Sequence, residues 1–189
     1  GQRRGNATQQ RFWQGAERVS GDPDIGLHVG ARMPPFRGQV LEYLFLSSTD
    51  FGEGVRRAIR YQELLTDALR IGLRIEGDVA VLHGFEHPVR HYLECAMGIF
   101  LRFFHHVTDG EFRPLEVLLP YAEGADEAVY RQAWHCPVRL DAGEGAIRFE
   151  AALLARPSPA AEPQLLAVHE ALASRRLADL ARHELVLRV

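Results

Sequence analysis

Leu69-Arg70-Ile71-Gly72-Leu73-Arg74-Ile75-Glu76-Gly77-Asp78-Val79-Ala80-Val81-Leu82 is where the 189-residue chain changes period. Leu69, Ile71, Leu73 and Ile75 alternate with polar or small residues, so their apolar side chains share one face of an extended segment. Glu76-Gly77-Asp78 supplies turn chemistry, and Val79-Ala80-Val81-Leu82 returns. This pattern predicts a β-hairpin with one buried face.

Outward from the hairpin the period becomes helical. After Pro88, residues Leu93, Ala96, Met97, Phe100, Leu101, Phe104 and Val107 recur at helical spacing until Asp109-Gly110 ends the run. Leu115–Leu119 reads as a strand between prolines and Ala125–Trp134 as a helix. Pro137–Leu140 and Ala146–Phe149 read as short strands around an Asp141–Gly145 turn. Arg156–Pro163 holds three prolines and reads as a connector, and from Pro163 the chain is helical.

Before the hairpin everything is helical. Phe12, Trp13, Ala16 and Val19 form an apolar side that stops at Ser20-Gly21. Asp22-Pro23 then predicts an N-cap and first helical position, with Ile25, Val29 and Met33 buried below them. A short apolar helix is expected over Gly38–Ser48, with Leu41, Leu44 and Phe45 inward. Asp50 and Glu53 open another helix as a capping-box variant, with Val55, Ala58, Ile59 and Leu65 on its buried stripe and Gln62 unexpectedly among them. The expected fold is therefore α+β: a helical N-terminal part, then a ββαβαββ sheet of about four or five strands covered by helices, and a C-terminal linker helix. Residues 1–162 read as one regulatory domain and 163–189 as a dimerisation and linker helix.

Composition narrows the function. All 22 basic residues are arginine, which excludes Schiff-base and phosphate-loop lysine chemistry. The net charge of −3 lacks the basic excess of a self-sufficient DNA-binding domain. The longest oily run, Ala96–Phe104, is interrupted by Arg102, so no membrane segment is expected. Two cysteines are too few for a disulfide framework, and we expect a cytoplasmic location.

Several clusters invite chemistry. His83, Glu86, His87, His91, Glu94 and Cys95 are metal-ligand types, but Pro88 sets the helix start near His87 and no second ligand element completes a site, so no metal is expected. His105-His106 at a helix end suits the dipole. Met97, Phe103 and Phe104 would line a haem only if they were not simply core, and we expect no cofactor. Ser47, Ser48 and Cys95 lie in no nucleophile motif, so no catalytic residue and no enzyme activity is expected. What remains is polar residues at apolar stripes. Tyr61 and Gln62 on one helix, and Arg90, His91, Glu94, Met97 and Phe100 on the long one, are candidate effector contacts. Arg90 and His91 near a helix N-terminus favour an anionic head group, and Met97 and Phe100 an apolar body. The expected effector is a small organic acid or amphipathic metabolite. On the last helix Ala173, Leu177, Leu180 and Leu187 recur at 4-3-7 spacing, a coiled-coil-like seam for a homodimer. The same stripe also suits packing within the chain.

Phe12-Trp13, Gly21-Asp22-Pro23-Asp24-Ile25-Gly26-Leu27, Leu44-Phe45-Leu46-Ser47-Ser48-Thr49-Asp50-Phe51-Gly52-Glu53 and Tyr61-Gln62-Glu63-Leu64-Leu65 come in an order that resembles the arabinose-binding-type N-terminal domain of AraC/XylS transcription regulators. Glu94, Pro114-Leu115-Glu116-Val117, Tyr130, Cys136-Pro137-Val138, and Phe149 with Leu153 continue the resemblance. It departs at Arg139-Leu140, where the family commonly has an aromatic, and in the acidic, glycine-rich Asp141–Gly145 loop. The resemblance implies an effector-sensing, dimerising domain that controls a C-terminal half of two helix-turn-helix units. The last helix carries no stop signal through Arg182–Val189, so we expect it to begin a linker, with DNA bound only through a domain outside this chain. An effector-independent dimerisation module and a haem or metal sensor remain the alternatives.

Overall fold

The structure is a computed structural model that describes the backbone of residues 6–36 and 38–187 and the side chains of 7–36 and 38–182. The elements follow the predicted order. Helices α1 (Asn6–Ser20), α2 (Ile25–Arg32), α3 (Val40–Ser47) and α4 (Phe51–Arg60) come first. After them run β1 (Gly72–Glu76), β2 (Val79–His83), α5 (Arg90–Val107), β3 (Pro114–Leu118), α6 (Glu127–Trp134), β4 (Val138–Arg139), β5 (Ala146–Glu150) and α7 (Pro163–Leu187). The fold is α+β with a mixed five-stranded sheet. The chain forms two compact units, one from residues 1–35 and 68–150, the other from 36–67 and 151–189.

In the first unit the strands lie in the order β1-β2-β5-β3-β4. The β1–β2 hairpin pairs Glu76 with Val79, leaving a two-residue loop whose first residue, Gly77, has a φ of 61°. A glycine at that position is what such a tight turn demands. Ala80, Leu82, Val117, Ile147 and Phe149 are buried, and they share one sheet face by alternation and register. Helix α5 meets that face through an aromatic chain of ring contacts running Phe100, Phe104, Phe112, Phe149. The opposite face mixes a small apolar cluster of Val81, Leu118 and Ala146 with an ion-pair ladder of Arg74, Glu76, Glu116, Arg139 and Arg148.

The structure supplies the strand pairing, which the sequence left open, and corrects three local expectations on α1 and α2. The two strands flanking Asp141–Gly145 do not pair with each other: β5 lies antiparallel to β2 and β3, while β4 runs parallel to β3 on its far side. β3 lies between them in the sheet, and the parallel β3–β4 pair is joined by the crossover that carries α6, as parallel pairing requires. On α1 only Trp13 is buried, while Phe12 and Val19 face outward. On α2 the buried face is Gly26, Leu27 and Gly30, not Ile25, Val29 and Met33. The reason is proximity: a Cβ on Gly26 would lie 2.6 Å from the Cα and carbonyl oxygen of His91, and one on Gly30 would lie 2.9 Å from the Cys95 carbonyl. Backbone so close excludes any side chain, and a hydrophobic-stripe reading does not score glycine. The helix also starts later than expected. Asp22 does not cap it but accepts from the Asp24 amide at 2.9 Å, and α2 begins at Ile25. At its other end Arg102 donates to the carbonyls of Gly30 and Met33, satisfying terminal acceptors with a cation.

The second unit is helical. Asp50 accepts from the Glu53 amide at 2.7 Å and caps α4 as its spacing predicts. The helix stops at Arg60, and Gln62 lies in a 3₁₀ turn (Gln62–Leu64) instead of on the α4 stripe. The buried face of α4 is Phe51, Gly52, Gly54 and Val55, with Ala58 and Ile59 only half-buried. The connector after Arg156 is tied down: the Phe51 amide donates to the Arg156 carbonyl and the Ser158 amide to that of Thr49. Val40, Leu41, Leu44, Tyr61 and Ala173 form the core of this unit, with Leu64, Leu65, Leu166 and Leu177 packed against it.

A buried carboxylate at the start of the long helix

Glu94 is completely buried, one turn into α5. It faces inward because it shares the helix stripe of Leu93, Met97, Phe100 and Leu101, all buried. An ionised carboxylate in such a place is tolerated only when its oxygens are hydrogen-bonded and its charge paired. Three donors meet there. Arg90, one turn earlier, donates its Nε–H to Oε1 at 2.7 Å. Tyr130 of α6 donates its hydroxyl to the same oxygen at 2.6 Å, and His91 Nδ1 lies 3.1 Å from Oε2. Tyr130 in turn accepts from the Ala125 amide and lies 3.1 Å from the Tyr121 hydroxyl. Since its only proton goes to Glu94, Tyr121 is the donor of that pair. Burial, with the charge of Glu94, pushes the Tyr130 hydroxyl up to about 12 and raises that of Tyr121 as well, so both stay protonated donors.

The two cations have a second side. The terminal nitrogen of Arg90 donates to Asp24 Oδ1 at 2.7 Å and to the Pro23 carbonyl at 3.3 Å, both just before α2. His91 Nε2 lies 3.3 Å from Glu17 Oε2 on α1. A carboxylate at each ring nitrogen favours the imidazolium form of His91, and the hydrogen bond to Glu94 above all raises its pKa. Both cations therefore join one buried carboxylate to an outer one: Glu17 is 46% exposed and Asp24 20%. The indole of Trp13 packs 6.0 Å from the His91 ring.

The candidate residues thus divide between the units. Arg90, His91 and Glu94 meet in the first. Met97 is fully buried on the same helix, and Phe100 packs edge-on to Phe85. Tyr61 and Gln62 belong to the second: the Tyr61 hydroxyl lies 2.9 Å from Ser174 Oγ, and Gln62 donates to the Ile59 carbonyl. Of the seam residues, Ala173 is fully buried inside that unit with Leu177 against its core. Leu180 is half-buried, and the side chain of Leu187 lies outside the described residues. Among the described residues no group of three or more His, Cys, Asp or Glu side chains is arranged to hold a metal ion. His87 precedes α5 and stacks on Tyr92, so it does not share a helix face with His91. Burial pushes the Cys95 thiol up to about 11, which leaves it inert. Among the described residues no helix is long and apolar enough to cross a membrane.

Glu17, Asp24 and Tyr121 escape a sequence reading, because no periodicity joins them to Glu94. Tyr130 and Glu94 are both marks of the family resemblance, which is the only signal linking the two.

The raised pKa of His91 has a consequence for stability. A base whose folded value lies above its unfolded value of about 6.5 contributes fully below that pH, and the contribution is lost as the pH rises through the folded value. Burial lowers the pKa of His87, which therefore acts with the opposite sign, on the acid side. Urea midpoints of the wild type should fall, relative to those of His91→Gln, as the pH rises above about 6.5. Parallel curves for the two proteins would show that His91 is not held as the imidazolium.

A family match and a solved structure relate this architecture to known proteins. The family described as the arabinose-binding domain of AraC transcription regulator, N-term, matches residues 2–158. Among solved structures, the crystal structure of transcriptional regulator CdpR from Pseudomonas aeruginosa is similar at a TM-score of 0.67 and 17% identity, covering 78% of this chain and 50% of that one. At that identity the likeness speaks for the fold, and this chain spans half the length of the CdpR chain. No curated protein matches.

Proposed function

Because the chain belongs to the family of N-terminal arabinose-binding domains of AraC transcription regulators, we propose that it is a regulatory domain that senses a small molecule, dimerises and controls an attached helix-turn-helix DNA-binding part, rather than an enzyme. The observation that carries the sensing role is the first turn of α5, where Arg90 and His91 hold a fully buried Glu94 on one side and partly exposed carboxylates on the other. Two cations at an α-helix N-terminus suit an anionic head group. The effector is accordingly a small organic acid or an amphipathic acid, and arabinose offers no charge for this pair. Such a ligand shifts the regulator only by binding its active and inactive arrangements unequally. Residues 163–189 are the output and linker.

A thermal-shift screen over short- and medium-chain carboxylic acids tests the reading. A ligand at about 100 times its Kd adds roughly 2.7 kcal/mol, a shift of about 5–10 °C for a chain of this size. Arg90→Ala would strip Glu94 of a partner, so Arg90→Lys is the cleaner variant: it keeps the charge but loses the fork, and should remove most of the shift. A screen in which no carboxylic acid stabilises the chain, or a hit that Arg90→Lys binds equally well, removes Arg90 as the acid's anchor.

For dimerisation, the second unit leaves Leu165, Val168 and Leu172 of α7 exposed at i, i+3 and i+7, the spacing of a helix–helix seam. A second copy of the chain is the proposed occupant. Val168→Glu with Leu172→Glu should reduce the sedimenting mass to that of a monomer while leaving the helical signal unchanged. A folded double variant of unchanged mass rules this face out.

A further inference from the structure

Trp13 is 5% exposed, and its indole nitrogen has no hydrogen-bond partner among the described residues. Buried donors are nearly always satisfied, so an orphaned one calls for an acceptor that the described residues do not provide. The ring lies against His91, and Trp13 stands four residues before Glu17 on the same face of α1. The His91 ring is thus met from one face of α1 by the Glu17 carboxylate, 3.3 Å from Nε2, and by an indole ring 6.0 Å away whose nitrogen has no partner among the described residues. Glu17 reaches His91 on a half-exposed side chain, an ion pair of the weak class. Asp24, only 20% exposed, holds Arg90 more closely, at 2.7 Å.

We propose that Trp13 Nε1 and His91 Nε2 form a monocarboxylate-binding site in which the ligand takes the place of Glu17 at His91, beside the Arg90 guanidinium. One ligand oxygen accepts from His91 and the other from Trp13, which satisfies the orphan donor and exchanges one carboxylate for another without burying new charge. Phe12, exposed and packed edge-on to Trp13 at 5.3 Å, offers an apolar surface for the body of the ligand. Glu17 is then an internal stand-in for the ligand, and its release frees α1 from α5. This reading rests on the acid-sensing role above but adds a separate claim, the competition by Glu17 and the donor role of Trp13.

Calorimetric titration with sodium octanoate, with octanol as the neutral control, tests it on the whole chain at a pH below neutrality. Octanoate should bind and octanol should not. Glu17→Gln weakens the competitor, so octanoate should bind it roughly two- to fivefold more tightly, the fold-change of an exposed ion pair removed. Trp13→Phe keeps the ring and drops the donor, so it should bind about tenfold or more weakly, as loss of a hydrogen bond to a charged group implies. Glu17 is a surface position, so its variant remains informative even if Trp13→Phe unfolds. Unchanged or weaker binding by Glu17→Gln, or unchanged binding by a folded Trp13→Phe, overturns the inference. If Arg90→Lys still abolishes the octanoate response in that case, acid sensing stands and only the exchange mechanism falls. If octanoate does not bind the wild type, the inference falls whatever other acids do in the screen.

Discussion

Glu94→Leu should be among the most damaging single substitutions in the chain, lowering stability by about 3–5 kcal/mol. The side chain is of similar size and would suit its apolar neighbours Leu93, Met97 and Leu101. The loss arises from what is left behind. Arg90 and His91 lose the buried anion that balances them, and the Tyr130 hydroxyl, in a fully buried residue, loses its charged acceptor. At about 2–4 °C per kcal/mol, the melting temperature should drop by on the order of 10 °C. Glu94→Gln should cost less, since the amide keeps one acceptor oxygen for Tyr130. A leucine variant melting within about 2 °C of the wild type, below the loss expected from 1 kcal/mol, would mean that the network contributes nothing net to folding. Its role would then be specificity or ligand response alone.

Gly26→Val should be of comparable size for a different reason. The atoms that a side chain would strike are the Cα and carbonyl oxygen of His91, which cannot rotate away as a side chain can. Helix α2 has to move off α5, opening the contact at Gly30 as well and pulling Asp24 from Arg90. The cost should reach about 3 kcal/mol, the upper end for overpacking. Gly15→Ala is the control: nothing lies within 4 Å of its Cβ position, so this helical glycine should gain about 0.5–1 kcal/mol from alanine. Chemical denaturation of the three proteins checks both statements. A Gly26→Val variant as stable as the wild type would mean that the two helices separate at no cost.

Much of this protein is legible in its amino-acid order wherever the governing interactions are local. The turn glycine at residue 77 closes the β1–β2 hairpin where the spacing predicts. Strand β1 covers only Gly72–Glu76, however, so Leu69 and Ile71 are buried outside it and Ile75 is exposed instead of sharing a buried face. The helical repeat from Leu93 to Val107 delivers α5, and Asp50 caps α4 through an amide three residues on. The ββαβαββ order follows, because period, caps and turns are set by residues a few positions apart. Even the inward-facing Glu94 is visible, as a carboxylate on an apolar stripe.

What escapes the sequence depends on how closely distant segments approach. The pairing of β4 with β3, not with β5, is decided by which edges the packed sheet leaves open. The burial of Gly26 and Gly30 in place of Ile25 and Val29 depends on an interhelix distance that no periodicity encodes. The candidate site is of the same kind. Glu94 must find partners or lose stability, but that those partners are Arg90 and His91 on its own turn and Tyr130, 36 positions away, is fixed only when α6 packs beside α5. Local patterning chooses the elements because each backbone hydrogen bond there spans a few residues. The site is chosen by burial, because a charge removed from water accepts whichever donors the assembled fold brings within about 3 Å.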